Sequence, residues 1–403
     1  MFNYVVQVLL LCKNIGIFIK IKKGNVIITA NINIRDYRLQ FDRRFYVSPF
    51  SMPEPACKCA TNYFEMENNM TIREKLELYE KEYLSPYAML SMNSKGRLHP
   101  EEQCDIRPVF QRDRDRIIHS KAFRRLKDKT QVFLTPEGDH YRTRLTHTLE
   151  VSQNARTIAK ALRLNEDLVE AIALGHDLGH TPFGHSGERA LNMVCPYGFK
   201  HNEQSVRTVD FLEKDGQGIN LTMEVRDGIM NHQTSSMPST LEGKIVRFSD
   251  KIAYFHHDMD DAIRGGILTE KDIPKEIGEV LGYTTGERLD RFIHDIVTAS
   301  TDKNDIVMSP EIAEGMQKLR QFMFERVYQN PDAKSEESKA EMLITTLYEY
   351  YLKHLELLPK ELLVMHENGT PKEVIVCDYI AAMTDRFAIA QYDEIFIPKS
   401  WHG

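Results

Sequence analysis

The 403-residue sequence lacks the cysteine pairs, the basic excess and the long apolar runs that mark several common protein classes. Its six cysteines (Cys12, Cys57, Cys59, Cys104, Cys195, Cys377) are scattered with no CxxC pair, which argues against a zinc finger, a thioredoxin-like centre or a disulfide scaffold. That usage fits a reducing, cytoplasmic compartment. Lys and Arg number 52 against 59 acids, a net charge of −7, so the chain is not expected to coat nucleic acid, an affinity that comes largely from cations neutralising phosphates. Weak or no nucleic-acid binding is expected. The apolar run from Tyr4 to Cys12 is too short to span a bilayer and has neither a preceding basic segment nor a small-residue cleavage site, so no membrane partner is expected. There is no internal repeat and no low-complexity tract. With 42% hydrophobic and 28% charged residues, the chain has globular proportions and length enough for a large core.

The first 69 residues differ from the rest. They carry nine Lys or Arg against five acids, a net of +4, whereas residues 70 to 403 carry −11. Directly after Met70, Thr71-Ile-Arg-Glu74 reads as a capping box at the head of a Glu/Lys/Leu-rich helix. Residues 1–69 are therefore expected to be an extension, disordered or an upstream translation artefact, with the working body at 70–403. A small strand-rich domain is the alternative, because Gly24 to Ile34 alternates apolar and polar residues. From Ile117 onward the pattern is helical, with Pro- and Gly-marked breaks at Thr135–Gly138, Thr181–Gly187, Pro196–Gly198 and Gln329–Ser338. An all-α class with minor β hairpins is expected, with a core over about 117–265 and a helical region over about 266–403.

Three apolar-periodic segments matter most: Thr146–Leu164, Glu166–His180 and Leu241–Ile263. The first carries His147, the second the adjacent pair His176-Asp177 and the third Asp250. Any one of these alone reads best as a core or surface residue. Together, two imidazoles and two carboxylates form a mixed nitrogen and oxygen set that suits a Lewis-acidic divalent cation with open positions, rather than a closed structural zinc site. Such a set accepts magnesium, manganese, iron, zinc or nickel.

The text around the pair runs Ala173-Leu-Gly-His-Asp-Leu-Gly-His180-Thr-Pro-Phe-Gly-His185-Ser-Gly-Glu188, followed by His201-Asn-Glu-Gln-Ser205. With Arg112-Asp-Arg-Asp-Arg116, Phe123-Arg-Arg-Leu126, Arg142-Thr-Arg-Leu-Thr-His147, Asp250-Lys-Ile-Ala-Tyr254 and Asp378 to Arg386, this ordered set resembles the HD superfamily, specifically its deoxynucleoside triphosphate triphosphohydrolases, the dGTPase-like enzymes. The resemblance covers about Met70 to the C-terminal end. It implies a metal held by His147, His176, Asp177 and Asp250, and hydrolysis of a dNTP at the α-phosphate to deoxynucleoside and triphosphate. His185 and Glu188, three residues apart on a helical start, match the family's catalytic pair, with His201 near the same phosphate. Arg144 and Lys251 resemble triphosphate contacts, and His180 is a further candidate substrate contact, though a structural hydrogen bond would also explain it. Asp250, Tyr254 and Asp258 share one helical stripe. In the family the Tyr packs on the deoxyribose and the following Asp reads its 3′-hydroxyl region, while Gln131 matches another sugar contact.

The clusters Arg112–Arg116 and Arg124-Arg125-Lys127-Lys129 read as solvated faces or, following the family's habit, as an effector-nucleotide site in a homo-oligomer. Asp378–Tyr392 reads as one capped helix with Ile380, Met383 and Phe387 inward and Asp385-Arg386 as a structural ion pair. Competing functions are another HD phosphohydrolase and a nucleotide sensor or single-strand binder. A minimal HD hydrolase needs neither the His185/Glu188 dyad nor the Tyr254 stripe, and a sensor should have lost a ligand.

Overall fold

The computed structural model describes residues 70–131, 142–328 and 331–399, together with the backbone of three strands between residues 15 and 40. It divides into two units, Met1–Thr71 and Ile72–Gly403. In the first, β1 (Ile15–Lys22), β2 (Asn25–Ile34) and β3 (Tyr37–Gln40) form an antiparallel sheet in that order, with Ile15 opposite Ile32 and Ile32 opposite Leu39.

The second unit is all-α. Its helices are α1 (Ile72–Tyr83), α2 (Val109–Ile118), α3 (Lys121–Arg125), α4 (Arg144–Leu162), α5 (Glu166–Gly175), α6 (Gly184–Val194), α7 (His201–Arg207), α8 (Met223–Met230), α9 (Leu241–Arg264), α10 (Lys275–Leu281), α11 (Thr285–Ser300), α12 (Pro310–Met323), α13 (Pro331–Lys353), α14 (Lys360–Glu367), α15 (Lys372–Ala381) and α16 (Asp385–Phe396). At the centre lies α5, acidic in its first turn and apolar beyond Glu170, with Leu168, Val169, Ile172 and Leu174 buried. It packs on α2, α4, α8 and α9, whose Phe110, Val151, Ile158, Ile229, Ile245 and Met259 complete a first core. A second core joins α6 to α13, α15 and α16 through Leu191, Ile344, Leu347, Tyr351, Ile375 and Ile380.

Several boundaries differ from the sequence expectation for local reasons. Helix α4 starts two residues early because Thr143 is its N-cap: Thr143 and Thr146 exchange hydrogen bonds between side chain and amide in a capping box. The second segment stops at Gly175, not His180. Beyond it the chain turns so that Gly179 meets α7, where a Cβ would lie 2.1 Å from the Ser205 amide nitrogen. The break expected over Gln329–Ser338 is shorter, since Pro331 opens α13, where its missing N–H costs nothing. The break at Thr135–Gly138 falls outside the described residues. Asp378–Tyr392 is two helices, α15 and α16, and Phe387 is 43% exposed rather than inward. Asp385 does not pair with Arg386. Instead it accepts hydrogen bonds from Thr130 and from the Phe183 amide (3.0 Å), tying two site loops to α16.

Candidate active site

The functional side chains are set where three helices of the first core meet the first turn of α6, which is anchored in the second. His147 sits in the first turn of α4, His176-Asp177 at the C-terminal end of α5, and Asp250 mid-way along α9. His147 Nε2 lies 3.2 Å from Asp250 Oδ1 and 3.9 Å from Asp177 Oδ2. His176 Nε2 lies 3.4 Å from Asp177 Oδ2 and 3.7 Å from Asp250 Oδ1.

The tautomer of His176 follows from its partner. Its Nδ1 donates to the Ala173 carbonyl at 2.7 Å, which leaves Nε2 as a buried lone pair with no hydrogen-bond partner, aimed at two carboxylates. A lone pair facing carboxylates in an apolar core is unfavourable without positive charge between them. The electrostatics agree. Burial works to discharge His176, yet Asp177 and Asp250 push its pKa up to about 9. Burial likewise opposes ionisation of Asp177 and Asp250, but the imidazoles hold both below the ordinary carboxylate range, with Arg144 adding to the effect at Asp177. His147, His176 and Asp177 bring ligand atoms within 4.8 Å of one another, and Asp250 completes the set, so these residues fit a divalent cation.

A second constellation adjoins it. Glu188 lies between two imidazoles: Oε2 is 3.2 Å from His185 Nδ1, and Oε1 is 2.9 Å from both the amide and Nδ1 of His201. These hydrogen bonds outweigh burial and hold the Glu188 carboxyl well below its usual range. His185 is half-exposed toward the cavity, whereas His201 is 7% exposed and stacks on His180 with ring centroids 4.4 Å apart. Burial, Arg144 and His201 keep His180 neutral. The turn that aims this group is strained: Phe183 adopts φ 60°, a left-handed conformation uncommon for a bulky residue, and is held there by its amide bond to Asp385.

Both constellations open into one cavity of about 1080 Å³, a volume suited to a nucleotide-sized ligand. Gln131, Arg144, His180, Lys251 and Tyr254 line it as the sequence suggests. Asp258 does not; it is fully buried in α9. Arg144 is no surface cation, being 2% exposed and bonded through Nη1 to Asp177 Oδ2 at 2.6 Å. Burial and Arg247 lower the pKa of Lys251. The basic cluster around Arg112 is largely satisfied internally, with Arg112 and Arg116 on Glu101 and Arg114 on Glu170. Lys129 is buried, its ammonium donating to the carbonyls of His180 and Ala381.

An HD domain family model matches residues 144–254, and a phosphohydrolase-associated domain model matches residues 306–394. A deoxyguanosinetriphosphate triphosphohydrolase-like protein of Caldanaerobacter subterraneus is 57% identical over 332 residues, covering 82% of this chain and 98% of that protein. Relatives with the same description from Desulfatibacillum aliphaticivorans and Geobacter sulfurreducens are 50% and 40% identical, each over 82% of this chain and 99% of theirs. The chain belongs to the dGTPase-like family of HD-domain proteins. A solved phosphohydrolase from Bacteroides thetaiotaomicron shares 18% identity at a TM-score of 0.46, covering 70% of this chain and 67% of that one.

The dGTPase-like site also contains residues that sequence reading did not select. His232, just beyond α8, is buried with Nε2 3.2 Å from His201 Nε2. His257 Nδ1 is 3.2 Å from His147 Nδ1, and its other nitrogen pairs with Glu150. The spacing of His257 from Asp250, seven residues or two turns on α9, was the available clue. Arg320 on α12 reaches the cavity from the C-terminal region, and no local pattern marks it.

Proposed function

We propose that this chain hydrolyses deoxynucleoside triphosphates at the α-phosphate, releasing deoxynucleoside and inorganic triphosphate, and so adjusts deoxynucleotide pools. The observation that carries the reading is the single cavity in which a His/Asp cation set, a Glu188-oriented pair of imidazoles and the cations Arg144, Lys251 and Arg320 face one another. A divalent cation on His147, His176, Asp177 and Asp250 would polarise the α-phosphate and acidify water. Arg144, Lys251 and Arg320 neutralise the triphosphate oxygens, which is most of what phosphoryl transfer asks of a protein. Water attacks the α-phosphorus, the bond to the deoxyribose 5′-oxygen breaks, and His185, oriented by Glu188, gives that oxygen its proton. Tyr254, stacked against the sugar, leaves no room for a 2′-hydroxyl and so selects deoxynucleotides. A soluble homo-oligomer that responds to an effector nucleotide is part of the same reading.

The test is chromatographic product analysis with each dNTP, singly and in mixtures, beside an Asp177→Ala control. Deoxynucleoside and triphosphate formed only by the intact protein are the expected result. Deoxynucleoside monophosphate or diphosphate would show that a different bond is cleaved.

A further inference from the structure

His257 is a buried imidazole to which the reaction above gives no role, and it stands directly behind His147. It is 1% exposed on α9 and meets the His147 ring of α4 edge to face at 86°, with the two Nδ1 atoms 3.2 Å apart. One of those nitrogens must carry a proton and the other a lone pair, because two lone pairs would repel and two N–H groups would clash. The choice is made on the far side of His257, whose Nε2 meets Glu150 Oε2. A carboxylate only accepts. Arg142 favours that charged form of Glu150, since its Nε lies 3.3 Å from Oε1. The same guanidinium bonds Asp260 at 2.7 Å and Asp261 at 3.1 Å, one turn beyond His257, and so clamps α4 to α9 behind the two rings.

His257 therefore keeps its proton on Nε2 and offers its Nδ1 lone pair to His147, which is left protonated on Nδ1. The Nε2 lone pair of His147 is then committed to the side where Asp250 Oδ1 lies at 3.2 Å and Asp177 Oδ2 at 3.9 Å. A neutral imidazole with its lone pair so aimed is the form that a cation requires. His176 reaches the same tautomer by a different route, through the main-chain carbonyl of Ala173. That carbonyl is fixed by α5, whereas the His147 proton depends on two further side chains, and the outer one, Glu150, has a side chain 39% exposed.

We propose that His257 and Glu150 are positioning residues: a hydrogen-bonded relay from the Glu150 carboxylate through His257 sets the tautomer and ring orientation of His147. The inference rests on the hydrolase reading and deepens it by naming what holds one imidazole ready before a cation arrives. Neither residue lines the cavity, so neither touches substrate.

The test is zinc binding by the full chain, measured by competition with a chromophoric chelator, beside proton–nitrogen correlation spectra of the zinc-loaded chain carrying isotopically labelled histidine. In the wild type the expected spectrum has His147 protonated on Nδ1 and His257 on Nε2, the His257 signals being those missing from His257→Asn. In His257→Leu, which cannot accept from His147, zinc affinity is expected to fall about 10- to 100-fold. In His257→Asn, whose side-chain oxygen takes the place of Nδ1 as acceptor, it is expected to stay within about threefold of wild type. In Glu150→Ala the His257 signals are expected to move to a mixture of tautomers. Wild-type His257 protonated on Nδ1, equal affinity in wild type and His257→Leu, an equal loss in His257→Leu and His257→Asn, or unchanged His257 signals in Glu150→Ala would overturn the relay while leaving the hydrolase reading intact. No zinc bound by the wild type would overturn both. The wild-type spectrum decides the matter even if His257→Leu fails to fold.

Discussion

Glu188 is the residue on which two imidazoles of the site converge. Its two oxygens hold His185 and His201 at once, so one carboxylate sets two imidazole orientations. In Glu188→Gln the neutral amide presents an N–H to one of these rings, so the paired acceptors that orient both are lost. A fall in kcat of about 100-fold or more, with little change in KM, is the expected outcome by steady-state kinetics. Glu242 makes a stability prediction of the same kind. It is fully buried, accepts from the Met89 and Asn165 amides, and burial raises its carboxyl to about 7. Between its unfolded value, near 4.5, and about 7, the folded chain keeps a proton that the unfolded chain has lost. Stability from this group is therefore full below pH 4.5 and is lost as the pH rises through 7. Relative to Glu242→Gln, which mimics the protonated acid, the wild type is expected to lose roughly 3 kcal/mol between about pH 4.5 and 8 in urea unfolding.

At the scale of elements, the turn from α5 into α6 decides whether the two constellations meet. The backbone after Asp177 runs against α7, and Gly179 is the contact: a methyl there would stand 2.1 Å from the Ser205 amide nitrogen and 2.4 Å from the Gln204 carbonyl carbon. Neither atom belongs to a side chain that can rotate away. Gly179→Ala is expected to destabilise the fold by about 3 kcal/mol in chemical denaturation, and to weaken metal binding by displacing His176 and Asp177. On the far side of the turn, Asp385 holds the left-handed Phe183 and Thr130 together, so the entry to α6 is fixed from the second core.

For the whole molecule, the cavity lies where helices from both cores meet: Glu341 of α13 reaches it from the second, while Arg320 sits on α12, whose Leu319 and Met323 belong to the same core as the HD helices. Removing divalent cations with a chelator is expected to abolish turnover and lower the thermal midpoint, since the buried carboxylates then lose their counter-charge. At metal concentrations about 100-fold above Kd the difference amounts to about 3 kcal/mol. The dGTPase-like relatives are matched over 98–99% of their length by 82% of this chain. A chain beginning at Met70 is accordingly expected to match the full chain in rate of product formation, and assay of the two side by side checks this.

What the sequence determined by itself is local. Apolar spacing marks α4, α5 and α9, because a helix repeats every 3.6 residues and its buried stripe is written in order. The candidate cation set His147, His176, Asp177 and Asp250 was legible because its members interrupt those stripes inside a recognisable run of text. The residues that only the tertiary structure selected have no such local mark. His232 is one histidine after a short helix, and Arg320 is one arginine among many until α12 brings it to the cavity. Lys129, part of a basic run in the sequence, is buried because two carbonyls from distant segments converge on its ammonium. Asp385 sits beside Arg386 in the chain but bonds instead to loops more than 200 residues away. In each case the deciding energy is the desolvation of a polar group, and its size depends on partners that sequence distance does not reveal.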